Sequence, residues 1–293
     1  MSKILDGKLL SKQIKDELKF QVDILIKSGK KVPHLAAIIV GNDGASLTYV
    51  SSKVKSCEKI GYNSTLIKLD EKISEQKLIN EIDKLNQNRD VDGFIVQLPL
   101  PKHINEEKIL NQINPSKDVD GFHPSNFGKM ALGLETFIPA TPYGIMEIFS
   151  RYKISLEGKI VVVLGRSNIV GKPISILMSN KGNPGNATVI LTHSKTNNLI
   201  NLTKQADVII SALGIPNFLK SEMIKKNCIV IDVGITRVKN PLKPKGYEIV
   251  GDVDFDNVIK KSSYITPVPG GVGPMTIAML LKNTMHAYIR KTS

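Results

Sequence analysis

Short apolar runs alternate with longer amphipathic stretches along almost the whole chain. The longer stretches repeat apolar residues at helical spacing, and the short runs have the length of strands. This alternation predicts parallel β-sheets whose strands are joined by helices. In the first half of the chain it predicts helices over 6–27, 45–60, 74–86 and 105–113, and strands over 35–40, 64–69 and 93–98.

The segment 115–142 interrupts the alternation, because it has little periodicity and several Gly and Pro residues. We interpret it as the connection between two domains. Beyond it the pattern resumes, with strands predicted over 160–164, 187–192, 208–212 and 229–233 and helices over 171–180 and 274–290. The predicted fold class is therefore α/β, with two successive domains.

Composition limits the class of protein. The chain has 293 residues, of which 41% are hydrophobic, and this fits a globular protein. No apolar run reaches the roughly 20 residues that span a bilayer, and segment 1–19 lacks a secretory apolar core. We therefore expect a cytoplasmic protein without a membrane partner. Cys57 and Cys228 are too few and too far apart for a disulfide framework or a zinc site, and we expect both to be buried.

The net charge of +13 leaves three interpretations open. Nucleic-acid binding is one, but the lysines are spread over the whole chain, and aromatic residues make up only 5%, with no Trp to stack on bases. Alternatively, the lysines reflect codon usage on solvated faces, or they attract anionic small molecules.

A dinucleotide site is predicted where the strand 160–164 ends. That strand runs into Gly165, Arg166 and Ser167, and a helix begins at Gly171. The backbone N–H groups of such a turn, together with the helix dipole, favour a pyrophosphate. The pattern G-x-S-x-x-x-G is weaker than G-x-G-x-x-G, and by itself it also fits an ordinary turn between a strand and a helix.

The residues that follow the next strand, 187–192, indicate which cofactor is preferred. NAD-binding folds end this strand on an acidic residue that binds the ribose 2′-hydroxyl, but here His193, Ser194 and Lys195 follow it. Arg166 and Ser194 favour a 2′-phosphate, which a carboxylate would repel. We therefore predict NADP rather than NAD, although Arg166 could also be a solvated surface residue.

Several further residues suggest a reaction site. Tyr49 and Lys53 share a helix face, and Gln97 closes a strand. Asp120 precedes a glycine in the connection, and segment 266–276 is dense in Gly and Pro, which suits close contact with a ligand. Each of these features also has an ordinary explanation. Tyr49 and Lys53 could be an exposed pair, and Gln97 could cap its strand. Asp120 could be a turn residue, and segment 266–276 could be a plain loop. Spacing alone does not decide between these explanations.

Taken together, these segments resemble the methylenetetrahydrofolate dehydrogenase/methenyltetrahydrofolate cyclohydrolase family. The resemblance covers nearly the whole chain and rests on YVSSK at Tyr49, DGFIVQLPLP at Asp92, PSKDVDGFHPSN at Pro115, PATPYG at Pro139, GRSNIVGKP at Gly165, HSKT at His193, DVGI at Asp232 and PGGVGPMT at Pro269. It implies two α/β domains with the active cleft between them. Residues 1–140 and 274–293 would form the folate-binding catalytic domain, and 141–273 a Rossmann-like, doubly wound NADP-binding domain. It also implies a homodimer.

The resemblance implies NADP-dependent oxidation of 5,10-methylenetetrahydrofolate, followed by hydrolysis of the methenyl product to 10-formyltetrahydrofolate. The implied catalytic residues are Lys53, Gln97 and Asp120. The implied substrate contacts are Tyr49, Val96, Leu98, Pro269, Gly270, Gly271, Val272 and Gly273. The implied cofactor contacts are Gly165, Arg166, Ser167, Ser194 and Ile235, and no metal is implied.

In these roles Lys53 activates water or carries a proton, and Gln97 hydrogen-bonds to Lys53 and tunes it. Tyr49 stacks on the folate rings, and Asp120 accepts the pterin amino N–H groups. Ile235 packs on the nicotinamide ring, although core packing would also explain it. The positive charge would attract NADP and polyglutamylated folates.

Two other functions remain open on the same scaffold. One is a monofunctional dehydrogenase, and the other is a catalytically silent NADP-binding regulator, which would not need Lys53 or Gln97. The G-R-S sequence is also shared with relatives that use NAD. Nucleic-acid binding is the most distant alternative, and no nucleic-acid partner is expected.

Overall fold

The computed structural model describes Ser2–Lys243 and Gly246–Thr292, and for Ala45 it describes the backbone only. Within these residues the helices are Gly7–Lys27 (α1), Gly44–Ile60 (α2), Glu75–Gln87 (α3), Glu106–Gln112 (α4), Pro124–Ala131 (α5), Ala140–Arg151 (α6), Gly171–Ser179 (α7), Leu199–Gln205 (α8), Phe255–Val258 (α9) and Val272–Thr292 (α10). The strands are Lys3–Ile4 (β1), His34–Val40 (β2), Asn63–Leu69 (β3), Gly93–Val96 (β4), Ile160–Leu164 (β5), Thr188–Thr192 (β6), Val208–Ser211 (β7), Ile229–Asp232 (β8), Thr236–Lys239 (β9), Tyr247–Val250 (β10) and Tyr264–Ile265 (β11).

The chain forms two compact units. The six-stranded unit contains the residues up to Ser11 and Thr141–Thr276, and the three-stranded unit contains Lys12–Ala140 and the residues from Ile277 onward. The predicted fold class of two α/β domains is confirmed. The expected boundaries differ at the N-terminus, because β1 pairs with β11 and thereby joins the larger sheet. The terminal residues of the expected domains, Met1 and Ser293, lie outside the described residues.

The three-stranded unit is built on a parallel sheet in the order β3-β2-β4. The chain leaves β2 on one side to form β3 and returns on the other side to form β4. A parallel sheet binds ligands at such a reversal, beyond the carboxyl ends of its strands. Helix α3 covers this sheet with Leu78, Ile79, Ile82 and Leu85, whose spacing places them on one helix face.

The six-stranded unit has a parallel sheet in the order β1-β11-β8-β7-β5-β6. Strands β7 and β8 are buried along their whole length, which explains why each is apolar up to its last residue, Ser211 in β7 and Asp232 in β8. The order reverses at β5, since β6 lies on one side of it and β7 on the other. The Gly165 turn, which follows β5, therefore lies where a doubly wound sheet binds its ligand.

The segment 115–142, predicted to be an irregular connection, contains α5 and the start of α6. Helix α5 begins at Pro124, whose ring suits the first helical position, and His123 caps it by accepting the N–H of Ser125. Glycines and prolines thus mark the ends of short helices here. The predictions also lacked α8 and α9, the short strands β1 and β11, and the antiparallel pair β9–β10.

Candidate active site

Lys53 is a buried lysine on α2, with 4% of its surface exposed. Its Nζ donates a hydrogen bond to Gln97 Oε1 at 3.1 Å and lies 4.9 Å from the centroid of the Tyr49 ring. Gln97 directly follows β4, which pairs with β2, the strand that precedes α2. The pair Tyr49 and Lys53 is therefore not an exposed surface pair.

The environment of Lys53 favours its neutral form. Burial lowers the pKa of the amine, and the negative charge of Asp120 opposes this shift. Gln97 Nε2 donates to the carbonyl oxygen of Leu98 at 2.7 Å, which orients Oε1 toward the lysine. An amine with a lowered pKa can accept and release a proton closer to neutral pH than an exposed lysine can.

Asp120 lies in a turn that its neighbours hold in place. Asp118 is buried, and its Oδ2 accepts the N–H of His123 at 2.8 Å and Nδ2 of Asn126 at 2.9 Å. Gly121 has φ 73°, and a Cβ there would lie 2.7 Å from the nitrogen of Pro139. Burial raises the pKa of Asp120, and Lys53 opposes this shift. Asp118 was not among the predicted site residues, although it is the first acid of the Asp-Val-Asp-Gly sequence that contains Asp120.

In the six-stranded unit the Gly165 turn is tightly packed. Gly165 has φ 105°, and a Cβ there would lie 2.4 Å from the carbonyl oxygen of Ala212. A Cβ on Gly171 would lie 2.0 Å from the carbonyl oxygen of Gly165. Ser167 Oγ accepts the N–H groups of Val170 and Gly171 at 3.2 and 3.3 Å, so its hydroxyl hydrogen can donate elsewhere. Both glycines are required by the backbone packing.

The turn after β6 lies beside the Gly165 turn, because the N–H of Gly165 donates to the carbonyl oxygen of Thr192 at 3.1 Å. Arg166 and Ser194 are exposed, one on each turn. His193 Nδ1 accepts the N–H of Lys195 at 3.1 Å. These two turns carry basic and hydroxyl groups without a carboxylate between positions 191 and 196, and this chemistry fits a phosphate.

Other predicted site residues of the six-stranded unit line a cavity of about 130 Å³. It is lined by Asp232–Ile235, Ile249 and residues 267–274. Ile235 is 55% exposed, which argues against simple core packing. The backbone of the loop from Pro269 to Gly273 is tightly constrained, since a Cβ on Gly271 would lie 2.6 Å from the carbonyl oxygen of Pro267. Hollows of about 370 and 550 Å³ at the amino ends of the strands contain no predicted site residue.

Cys57 and Cys228 are free and buried, as predicted, and burial raises the pKa of each thiol to about 12. Within the described residues, no group of three or more His, Cys, Asp and Glu could hold a metal ion. None of the helices in residues 2–243 and 246–292 is both long and apolar enough to cross a membrane.

Two domain models of one protein family match the two halves of the chain. The catalytic domain of tetrahydrofolate dehydrogenase/cyclohydrolase matches residues 5–120, and the NAD(P)-binding domain of the same family matches residues 139–292. The bifunctional protein FolD of Flavobacterium psychrophilum is 63% identical over 97% of both chains.

Two solved structures are also similar. The FolD enzyme of Campylobacter jejuni is 50% identical, with a TM-score of 0.93 over 99% of both chains. The enzyme of Trypanosoma brucei, solved with NADP and an inhibitor, is 37% identical, with a TM-score of 0.94 over 99% of this chain and 98% of that one.

Proposed function

The chain belongs to the tetrahydrofolate dehydrogenase/cyclohydrolase family, and we propose that Lys53, Gln97 and Asp120 are the catalytic residues of its two reactions. The protein oxidises 5,10-methylenetetrahydrofolate with NADP and hydrolyses the 5,10-methenyl product to 10-formyltetrahydrofolate. The resemblance found in the sequence is thus confirmed. The observation that carries the residue assignment is the 3.1 Å hydrogen bond between buried Lys53 and Gln97, at the carboxyl end of β4.

In the hydrolytic reaction, neutral Lys53 accepts a proton from the water that attacks the methenyl carbon. It then delivers the proton to the ring nitrogen that leaves when the C–N bond breaks. Burial already lowers the pKa of Lys53, and the positive charge of the methenyl group lowers it further. Gln97 holds the amine in place, because its own amide is fixed by the Leu98 carbonyl.

The oxidation needs no acid or base from the protein, because a hydride passes directly between two carbons held in near-attack geometry. NADP supplies the acceptor for this hydride. The remaining residues therefore act by placing the ligands. Tyr49 stacks on the folate rings, Asp120 accepts the pterin N–H groups, and Val96 and Leu98 line the folate site.

The six-stranded unit supplies the cofactor contacts. Gly165 lets the backbone approach the pyrophosphate, and Ser167 donates its free hydroxyl hydrogen. Arg166 and Ser194 bind the 2′-phosphate, since no acid lies beside them to repel it. Ile235 offers an exposed apolar side chain to the nicotinamide ring. In this proposal the loop from Pro269 to Gly273 contributes backbone contacts to the folate.

The protein acts as a cytoplasmic homodimer in this proposal. Leu191 on the edge strand β6 and Ile200 on α8 are 37% and 49% exposed, and they are suited to a contact between copies of the six-stranded unit. Two free, buried cysteines are typical of a reducing compartment. The 10-formyl product would supply purine biosynthesis, and the charge of +13 would attract polyglutamylated folates.

A spectrophotometric assay tests this proposal. With methylenetetrahydrofolate we expect reduction of NADP to be at least tenfold more efficient than reduction of NAD, because of the phosphate contacts. We also expect hydrolysis of methenyltetrahydrofolate in the absence of nucleotide. Oxidation without such hydrolysis would indicate a monofunctional dehydrogenase, and neither reaction would indicate the silent regulator.

A further inference from the structure

Asp232 and Asp252 are two buried carboxylates at the carboxyl end of β8 to which no role has been assigned. Asp252 has no exposed surface and Asp232 has 3%. Neither forms a salt bridge with any described residue. We call this pair the carboxylate clasp. Its negative charge is not neutralised by a cationic side chain of that part of the chain.

Backbone N–H groups hold the clasp in place. Oxygens of Asp252 accept from Leu213 at 2.6 Å and from Ile215 at 2.9 Å, which fixes the loop after β7. Oxygens of Asp232 accept from Gly234 at 2.9 Å and Val253 at 3.0 Å. Asp232 Oδ1 also accepts the N–H of Asp252 at 2.9 Å, which joins the two residues. The clasp therefore ties together three chain segments at one end of the sheet.

Glycines opposite each carboxylate show that the arrangement is closely fitted. A Cβ on Gly234 would lie 2.2 Å from Asp252 Oδ1. A Cβ on Gly251 would lie 1.9 Å from Asp232 Oδ2. Any larger residue at either position would displace the carboxylate.

The clasp borders the cavity proposed for the nicotinamide ring. Asp232 lines this cavity of about 130 Å³ together with Ile235. The oxidised nicotinamide ring carries a positive charge, whereas the reduced ring is neutral. A nearby buried anion attracts the cationic oxidised ring and has much less effect on the neutral reduced ring. This electrostatic attraction is strong where water is excluded.

We propose that the carboxylate clasp makes the cavity prefer the oxidised, cationic nicotinamide ring over the reduced, neutral ring. Asp232 is thus a residue that determines which redox form of the cofactor binds. This inference rests on the proposed placement of the nicotinamide beside Ile235. It goes further in assigning a preference between NADP⁺ and NADPH to two specific carboxylates.

The charge of the clasp changes near neutral pH. Burial raises the pKa of Asp232 to about 7, and the negative charge of Asp252 adds to this shift, while the backbone hydrogen bonds oppose it. Among the described residues, Asp252 is the ionisable group that affects the pKa of Asp232. The other polar side chains beside the clasp are the hydroxyls of Ser211, at the end of β7, and Thr266, directly after β11. Above its pKa Asp232 is ionised, so affinity for NADP⁺ should rise as pH increases through 7.

The experiment measures the dissociation constants of NADP⁺ and NADPH for the full chain by calorimetry, without folate, between about pH 5.5 and 8.5. The ratio of the two constants cancels effects from the phosphates, which both nucleotides share. We expect the ratio to shift toward NADP⁺ by roughly tenfold across this range. Asp232→Asn should abolish this pH dependence. Asp254→Asn should retain it, because Asp254 is paired with Lys220 at 3.3 Å.

A ratio that stays constant with pH in the wild-type protein, with both nucleotides bound, would overturn the inference. The wild-type series decides this even if Asp232→Asn does not fold. If the wild-type protein bound neither nucleotide, the assignment of the cofactor would fail, and the inference with it. The two failures are therefore distinguishable.

Discussion

Replacing Lys53 with Met should separate the two activities of this enzyme. Methionine has a similar length and fills the buried space, but it carries no exchangeable proton. Among the described residues, Lys53 Nζ has one hydrogen bond, 3.1 Å to Gln97, and its side chain is buried, so solvent cannot easily take its place. Hydride transfer does not use this proton. We therefore expect cyclohydrolase activity to fall much further than dehydrogenase activity.

The size of the effect follows from the proton transfer that is lost. A positioned acid or base contributes about 10²–10⁴-fold to a rate, which corresponds to about 3–5 kcal/mol. Cyclohydrolase activity should fall by that factor, and dehydrogenase activity should stay within roughly tenfold. The free energy of unfolding should be unchanged or about 1–2 kcal/mol higher, because methionine removes the desolvation cost of burying an ionisable amine. Loss of activity would then not result from unfolding.

Both activities can be measured on one preparation. NADPH formation reports oxidation, and decay of the methenyl absorbance without nucleotide reports hydrolysis. Lys55→Met is the matched control, because Lys55 is exposed on the same helix, and it should retain both activities. Equal and complete loss of both activities in Lys53→Met, with NADP binding intact, would refute the proposed role. Unchanged hydrolysis would refute it equally.

Four other substitutions test separate parts of the structure. Gln97→Leu removes a hydrogen-bond acceptor that favours the protonated form of Lys53, so the pKa of the lysine should fall further. The pH at which the hydrolysis rate rises should therefore be lower in this variant than in the wild-type protein. A shift of this pH to a higher value would contradict the reasoning. Arg166→Ala should raise the KM for NADP by about tenfold and leave that for NAD nearly unchanged, measured by steady-state kinetics. Gly251→Ala places a Cβ 1.9 Å from a buried carboxylate oxygen and should lower the free energy of unfolding by about 2–4 kcal/mol in denaturant titrations. Gly128→Ala, in open space on a helix, should instead raise it by about 0.5–1 kcal/mol.

The alternation of apolar runs and amphipathic stretches was sufficient to predict the α/β class and most of the regular elements. The prediction worked because strands covered on both faces, such as β7 and β8, are apolar up to the polar residue that ends each of them. The strand 160–164 matches β5 in full. The missing acid after β6 pointed to NADP in the same local way, because the charge at one strand end decides which ribose substituent is favoured.

Tertiary structure decided what local spacing left open. Tyr49 and Lys53 at i and i+4 fit an exposed pair as well as a buried one, and Lys53 meets Gln97 only because β4 pairs with β2, which brings together residues 44 positions apart. The clasp likewise joins Asp232 and Asp252 through a backbone hydrogen bond across 20 positions. The sequence by itself determined the class, the family and the types of residue available. Which side chains meet, and which charges are buried, depended on strand pairing between distant segments, because local periodicity carries no information about such pairing.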